Sequence, residues 1–123
     1  MSSTDQEFKE LAKAYITKVK SKSKFLKRLI SEEEGILSIK VEAHKLKGSG
    51  KGYGFHAISH LGDRIETECE KILRGGLKEE SPGNLKAPIN QIKRNLDELY
   101  NFCEQVERDF EGKTNAKDLI NRR

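Results

Sequence analysis

Residues 85–110 read LKAPINQIKRNLDELYNFCEQVERDF, and the spacing of the apolar side chains in this stretch decides the fold. Leu85, Ile89, Ile92, Leu96, Leu99, Cys103, Val106 and Phe110 step by 4, 3, 4, 3, 4, 3 and 4. Alternating steps of three and four keep one stripe on one face of an α-helix, whereas a strand would send these side chains to both faces of a sheet. The stripe predicts a helix of about 28 residues. Ser81-Pro82 supplies a start signal, serine as N-cap and proline in the first turn. After Gly112 the pattern stops, and KTNAKDLINRR (113–123) reads as a flexible tail.

The same period recurs upstream. Ile58, Leu61, Ile65, Cys69 and Ile72 place a helix over about 56–73, ended by Gly75 and Gly76. Ile36, Ile39, Ala43, Leu46 and Gly50 step by 3, 4, 3 and 4 and place another over 35–51. At the N-terminus, Phe8, Leu11, Tyr15, Val19, Leu26 and Leu29 form a stripe interrupted at SKSK (21–24), where Lys22 occupies an apolar slot. This first segment reads as one long helix or as two, broken or bent there. Four amphipathic segments with short connections each need partners for one apolar face. An antiparallel, up-and-down four-helix bundle over residues 1–112 supplies them, so the fold class is all-α.

Composition agrees. The chain has 123 residues, enough for one domain with a core that needs no metal or disulfide. Charged residues, at 36%, outnumber hydrophobic ones, at 34%, which suits solvated helices with narrow apolar stripes. Cys69 and Cys103 fit no CxxC or zinc spacing and read as reduced core thiols of a cytoplasmic protein. The polar start MSSTDQEFKE is no signal peptide, and no apolar run approaches the roughly 18 residues of a membrane span. Net charge is +4, but the lysines are spread and no aromatic-interleaved basic patch appears. Nucleic acid and membrane are therefore not expected partners.

Function concentrates in EAHKLKGSGKGYGF, residues 42–55. Its glycines at 48, 50, 52 and 54 suggest a phosphate-cradling loop, but neither GxxxxGK[ST] nor GxGxxG is present, and a helix rather than a strand leads into it. On that helix His44 lies about 100° round from inward Ala43, on an outer strip with Lys40, Lys47 and Lys51. Gly48, one turn beyond His44, leaves space beside the imidazole. Gly50 faces inward, where it suits close helix packing, and Gly52 and Gly54 suit the turn. A neutral, exposed imidazole is a nucleophile at physiological pH. A nearby ammonium favours the neutral ring and then balances the charge of a phosphoryl group bound to it. An ordinary surface histidine on a lysine-rich face would show the same pattern.

AHKLKGSGKGYGF followed by ISHLGDRIE resembles the histidine-containing phosphotransfer (HPt) domain of bacterial phosphorelays and chemotaxis kinases, whose core reads A-H-x-L-K-G-[SA], then a short turn and a helix ending near L-x-x-x-[IL]-[EQ]. The close match covers residues 42–66. The resemblance implies a four-helix bundle in which His44 exchanges a phosphoryl group with an aspartate of a receiver domain or accepts it from a histidine kinase. It implies that Lys47 stabilises the phosphoryl group and that Gly48 leaves room for the partner's active site. It further implies a phosphocarrier with no ATP site or cofactor of its own, the receiver supplying Mg²⁺. Lys40 and Lys51 are candidate partner-binding residues, and a monomer is expected.

Glu66 occupies a position where the family has Gln in several relay domains and Glu in chemotaxis kinases. A carboxylate there could accept a hydrogen bond from Nδ1–H of His44 and leave Nε2 as the nucleophile. A solvated glutamate beside Asp63 and Glu70 is the plainer alternative. His56 and His60, at i and i+4, lack a third ligand and an HExxH motif, so no metal site is expected. Tyr53 and Phe55 read as cap and core residues. The competing functional reading is a non-catalytic helical module that docks on a receiver or kinase without phosphotransfer. A bundle-core metal or redox protein is a third class, which the outward histidines oppose.

Overall fold

The computed structural model describes residues 3–30, 35–76 and 83–115. Helix α1 spans Ser3–Leu29, α2 Gly35–Gly52, α3 His56–Lys71 and α4 Gly83–Asn115; α3 continues into a wider π-type turn, Ile72–Gly76. No strand occurs among the described residues. Helix α2 packs most extensively on α3, and α1 and α3 each pack on α4. The polar pairs at the seams show the directions. Tyr15 meets Ser49 and Lys22 meets Glu42, so α1 and α2 are antiparallel. Lys40 meets Glu70 and Lys47 meets Asp63, so α2 and α3 are too. Thr17 meets Glu107 and Lys27 meets Asp97, which sets α1 against α4. The architecture is the expected all-α four-helix bundle.

The centre is built from Ile16, Val19, Leu26, Ile39, Ala43, Ile58, Ile65, Ile92, Leu96 and Leu99, all 2% exposed or less. The apolar stripes expected for α2 and α3 face inward. So do Ile92, Leu96, Leu99 and Cys103 of α4. Asn95 is also fully buried, its side-chain oxygen accepting a hydrogen bond from Gln91 at 3.2 Å. Helix α4 passes through Gly112 to Asn115. It tolerates Pro88 near its start, where the missing N–H removes only the bond to Asn84. Ser81-Pro82 and tail residues 116–123 lie outside the described residues.

Helix α1 settles one expectation and corrects another. Of the two readings, one long helix or two, it is one unbroken helix through SKSK. Its buried stripe is Ala12, Ile16, Val19, Ser23, Leu26 and Ile30, not the one through Phe8 and Leu11. The continuous stripe passes through Ser23, whose hydroxyl donates to the Lys20 carbonyl at 2.8 Å. Lys22 falls to one side, where its ammonium meets Glu42 at 2.6 Å. Because Tyr15 lies opposite Ser49 near the end of α2, the first turns of α1 run past the end of α2, and Phe8 and Leu11 remain about half exposed, Phe8 stacking on Tyr53 at 6.3 Å between ring centres.

Two glycines let α2 and α3 approach closely. A Cβ on Gly50 would lie 2.7 Å from the Ser59 nitrogen and 3.0 Å from the Ile58 Cβ. A Cβ on Gly62 would lie 2.8 Å from both the Ala43 oxygen and the Lys47 nitrogen. Each glycine costs about 1 kcal/mol of helix propensity relative to alanine; tight helix packing offsets it. The turn between the helices needs Gly54, the residue with positive φ (87°). It is held by an aromatic stack: Tyr53 lies 4.3 Å from Tyr15, ring centre to ring centre. Phe55, the N-cap residue of α3, packs on the core and against Phe102.

Candidate functional site

His44 projects from the third turn of α2, with its side chain 70% exposed. The inward Ala43 and Leu46 on either side of it anchor that turn in the core. Across the seam, Asp63, Glu66 and Glu70 lie one turn apart on α3 and face the same strip. Nδ1 of His44 lies 2.9 Å from Oε2 of Glu66. Only 13% of the Glu66 side chain is exposed, so this carboxylate is tucked into the helix seam rather than free in solvent. An ionised carboxylate only accepts hydrogen bonds, so the neutral imidazole places its hydrogen on Nδ1 and leaves Nε2 with its lone pair.

Lys47 joins the same cluster. Its Nζ lies 3.1 Å from Oδ1 of Asp63 and 3.8 Å from Oε1 of Glu66. The hydrogen bond from Lys47 to Asp63, and then the charges of Asp63 and Glu66, hold the ammonium above its ordinary pKa and keep it charged. Glu66 thus faces the imidazole with one oxygen and the ammonium with the other. Lys40 lies one turn before His44 and pairs with Glu70 at 3.9 Å. Lys51 is exposed in the last turn of α2. A Cβ placed on Gly48 would have nothing within 4 Å, so the space beyond His44 is open.

The structure therefore gathers His44, Lys47, Gly48 and Glu66, with Lys40 at the edge. Lys51 makes no ion pair with this cluster. Sequence reasoning missed three contributors. Asp63, read only as a neighbour of Glu66, is the nearest carboxylate to Lys47. Leu37 and Val41, 55% and 47% exposed, lie on the same outer strip as His44, two turns and one turn back respectively. They were legible as apolar residues opposite the buried stripe of α2. His56 and His60 are exposed. Among the described residues no group of three or more His, Cys, Asp or Glu is placed to hold a metal ion, and no helix is long and apolar enough to cross a membrane. Both cysteines are free and buried, and burial pushes each thiol up to about 12.

Comparison with models of known families, with curated proteins and with solved structures finds no match to this chain.

Proposed function

We propose that the protein is a phosphocarrier of the HPt type, in which His44 accepts a phosphoryl group on Nε2 and exchanges it with an aspartate of a receiver domain, or takes it from a histidine kinase. The observation that carries this reading is the 2.9 Å contact of Nδ1 with the recessed Glu66 carboxylate beneath a largely exposed ring. It combines a fixed tautomer with an accessible nucleophile.

In transfer from an aspartyl phosphate, the Nε2 lone pair forms the N–P bond while the aspartyl O–P bond breaks, and the bonding electrons leave on the aspartate carboxylate. The Nδ1 hydrogen stays in place, so the ring gains positive charge. Glu66 lies against that charge and stabilises it. Lys47 balances the charge on the phosphoryl oxygens. The reverse sequence returns the group to an aspartate. A partner delivering the group in line must come close to the helix backbone, and the open space at Gly48 permits this. Leu37 and Val41 give that partner an apolar surface beside the acceptor.

The test is phosphorylation with phosphoramidate or a phosphorylated receiver. The native chain is expected to form an acid-labile phosphohistidine. His44→Gln should form none while keeping its helical spectrum and unfolding midpoint. Lys47→Ala should slow transfer by about tenfold or more, the order expected for an electrostatic group at a reacting phosphoryl centre, with little change in stability because the side chain is half exposed. Phosphorylation of His44→Gln at the native rate would remove the proposal. Receiver binding independent of His44, without transfer, would establish the docking module instead.

A further inference from the structure

Gly62 lies on α3 one turn before Glu66, on the side that meets α2. The two α2 atoms that a Cβ at this position would strike are the Ala43 oxygen and the Lys47 nitrogen, each at 2.8 Å. In an α-helix these two atoms are partners in the hydrogen bond that closes one turn. That turn, residues 43–47, carries His44 near its start and Lys47 at its end. The missing side chain at 62 thus lets α3 press directly on the backbone that holds the imidazole and the ammonium. Leu46 adds a third contact, its Cβ lying 3.2 Å from the same point.

We infer that Gly62 is a positioning residue: by setting the α2–α3 separation, it brings Glu66 within hydrogen-bonding distance of His44. Its role as part of a transfer site rests on the phosphocarrier reading, but the geometric role does not. A Cβ must retreat from 2.8 Å to the 3.4 Å of ordinary van der Waals contact, a displacement of about 0.6 Å. Neither obstructing backbone atom can rotate away, so the helices themselves must separate. Carried to the next turn, that displacement takes the 2.9 Å His44–Glu66 contact to about 3.5 Å, where a hydrogen bond is no longer effective. The glycine would therefore act on the tautomer of His44 without touching the ring.

The experiment is Gly62→Ala in the full chain, with the tautomer of His44 read from its imidazole ¹⁵N shifts. The native chain should show hydrogen on Nδ1. The variant should shift toward an equal or Nε2–H-rich mixture, as should Glu66→Ala. Leu96→Ala, a core truncation in α4, should lower stability while leaving the tautomer unchanged. Phosphorylation by phosphoramidate should fall about tenfold in Gly62→Ala, the low end of the loss when a histidine loses its orienting partner. It should fall no further when Gly62→Ala is added to Glu66→Ala, because both changes remove one contact. A native tautomer in a folded Gly62→Ala chain, or additive losses in the double variant, would overturn the inference. If Gly62→Ala does not fold, Gly50→Ala serves in its place, wedging the same helix pair about one turn further along. Partial loss of the tautomer bias is then expected, and an unchanged bias overturns the inference. A native chain that takes no phosphoryl group defeats the phosphocarrier reading alone, and the ¹⁵N shifts still decide the role of Gly62.

Discussion

At the residue scale, the glycines of GSGKGYG have different tasks, and two of them support opposite predictions. Gly48 sits mid-helix with no neighbour within 4 Å of an added Cβ. Replacing it with alanine removes only a helix penalty, so Gly48→Ala should stabilise the protein by about 0.5–1 kcal/mol in urea denaturation. Under the proposed function, Gly48→Gln should nevertheless impair exchange with a receiver by filling the partner's approach, while phosphorylation by phosphoramidate changes little. Equal losses with both donors would show that Gly48 acts on His44 rather than on docking. Gly50 is the contrasting case. A Cβ there meets the Ser59 nitrogen at 2.7 Å, and overpacking of this kind costs about 1–3 kcal/mol. Helix propensity returns only about 1 kcal/mol, so Gly50→Ala should lower stability. A higher urea midpoint would show that the helix pair adjusts without strain. The sequence distinguishes these glycines because their angular positions on α2 differ. It could not distinguish Gly62, because nothing within α3 states which backbone it will meet.

At the scale of the element, the reading of each helix depended on how evenly hydrophobicity marks its inner face. Helices α2 and α3 were legible because their buried positions are nearly all apolar. Helix α1 was misread because Ser23 occupies its stripe and because Phe8 and Leu11, in its first turns, imitate one. Lysines in and around SKSK find carboxylate partners on the neighbouring helices. Lys20 reaches Glu107 at 2.8 Å, Lys22 reaches Glu42 at 2.6 Å, and Lys27 reaches Asp97 at 2.6 Å. These pairs imply a pH dependence. The hydrogen bond from Lys22, with its charge, holds the Glu42 carboxyl below the usual range, and Lys20 does the same for Glu107. In the unfolded chain both return to about 4.3, so between the folded and unfolded values the unfolded state binds more protons. The stabilisation is present above about pH 5 and is lost as pH falls through the lowered folded values. Thermal midpoints should therefore fall as pH drops from about 5 to 3. A Glu42→Gln, Glu107→Gln variant should fall less steeply over that range. An identical slope would show that other carboxylates control the acid limb.

For the whole molecule, burial decides what the cysteines can do. Cys69 and Cys103 are each fully buried, with thiols pushed up to about 12 by desolvation. The nucleophilic thiolate is scarce at pH 8 and a reagent has no access. Neither cysteine should react with a maleimide in the native state, whereas both should react in denaturant. Rapid native labelling would show that the bundle opens readily. By itself, the sequence determined four helices, the inner faces of α2 and α3 and most of that of α4, and the outward strip carrying His44, because these follow from local periodicity. Only the tertiary structure decided how far α1 extends past α2, which carboxylate meets each lysine, and how closely α3 approaches the turn bearing His44. Those depend on the register between antiparallel helices. Connection geometry and close backbone packing at Gly50 and Gly62 set that register, and periodicity within a single helix is blind to both.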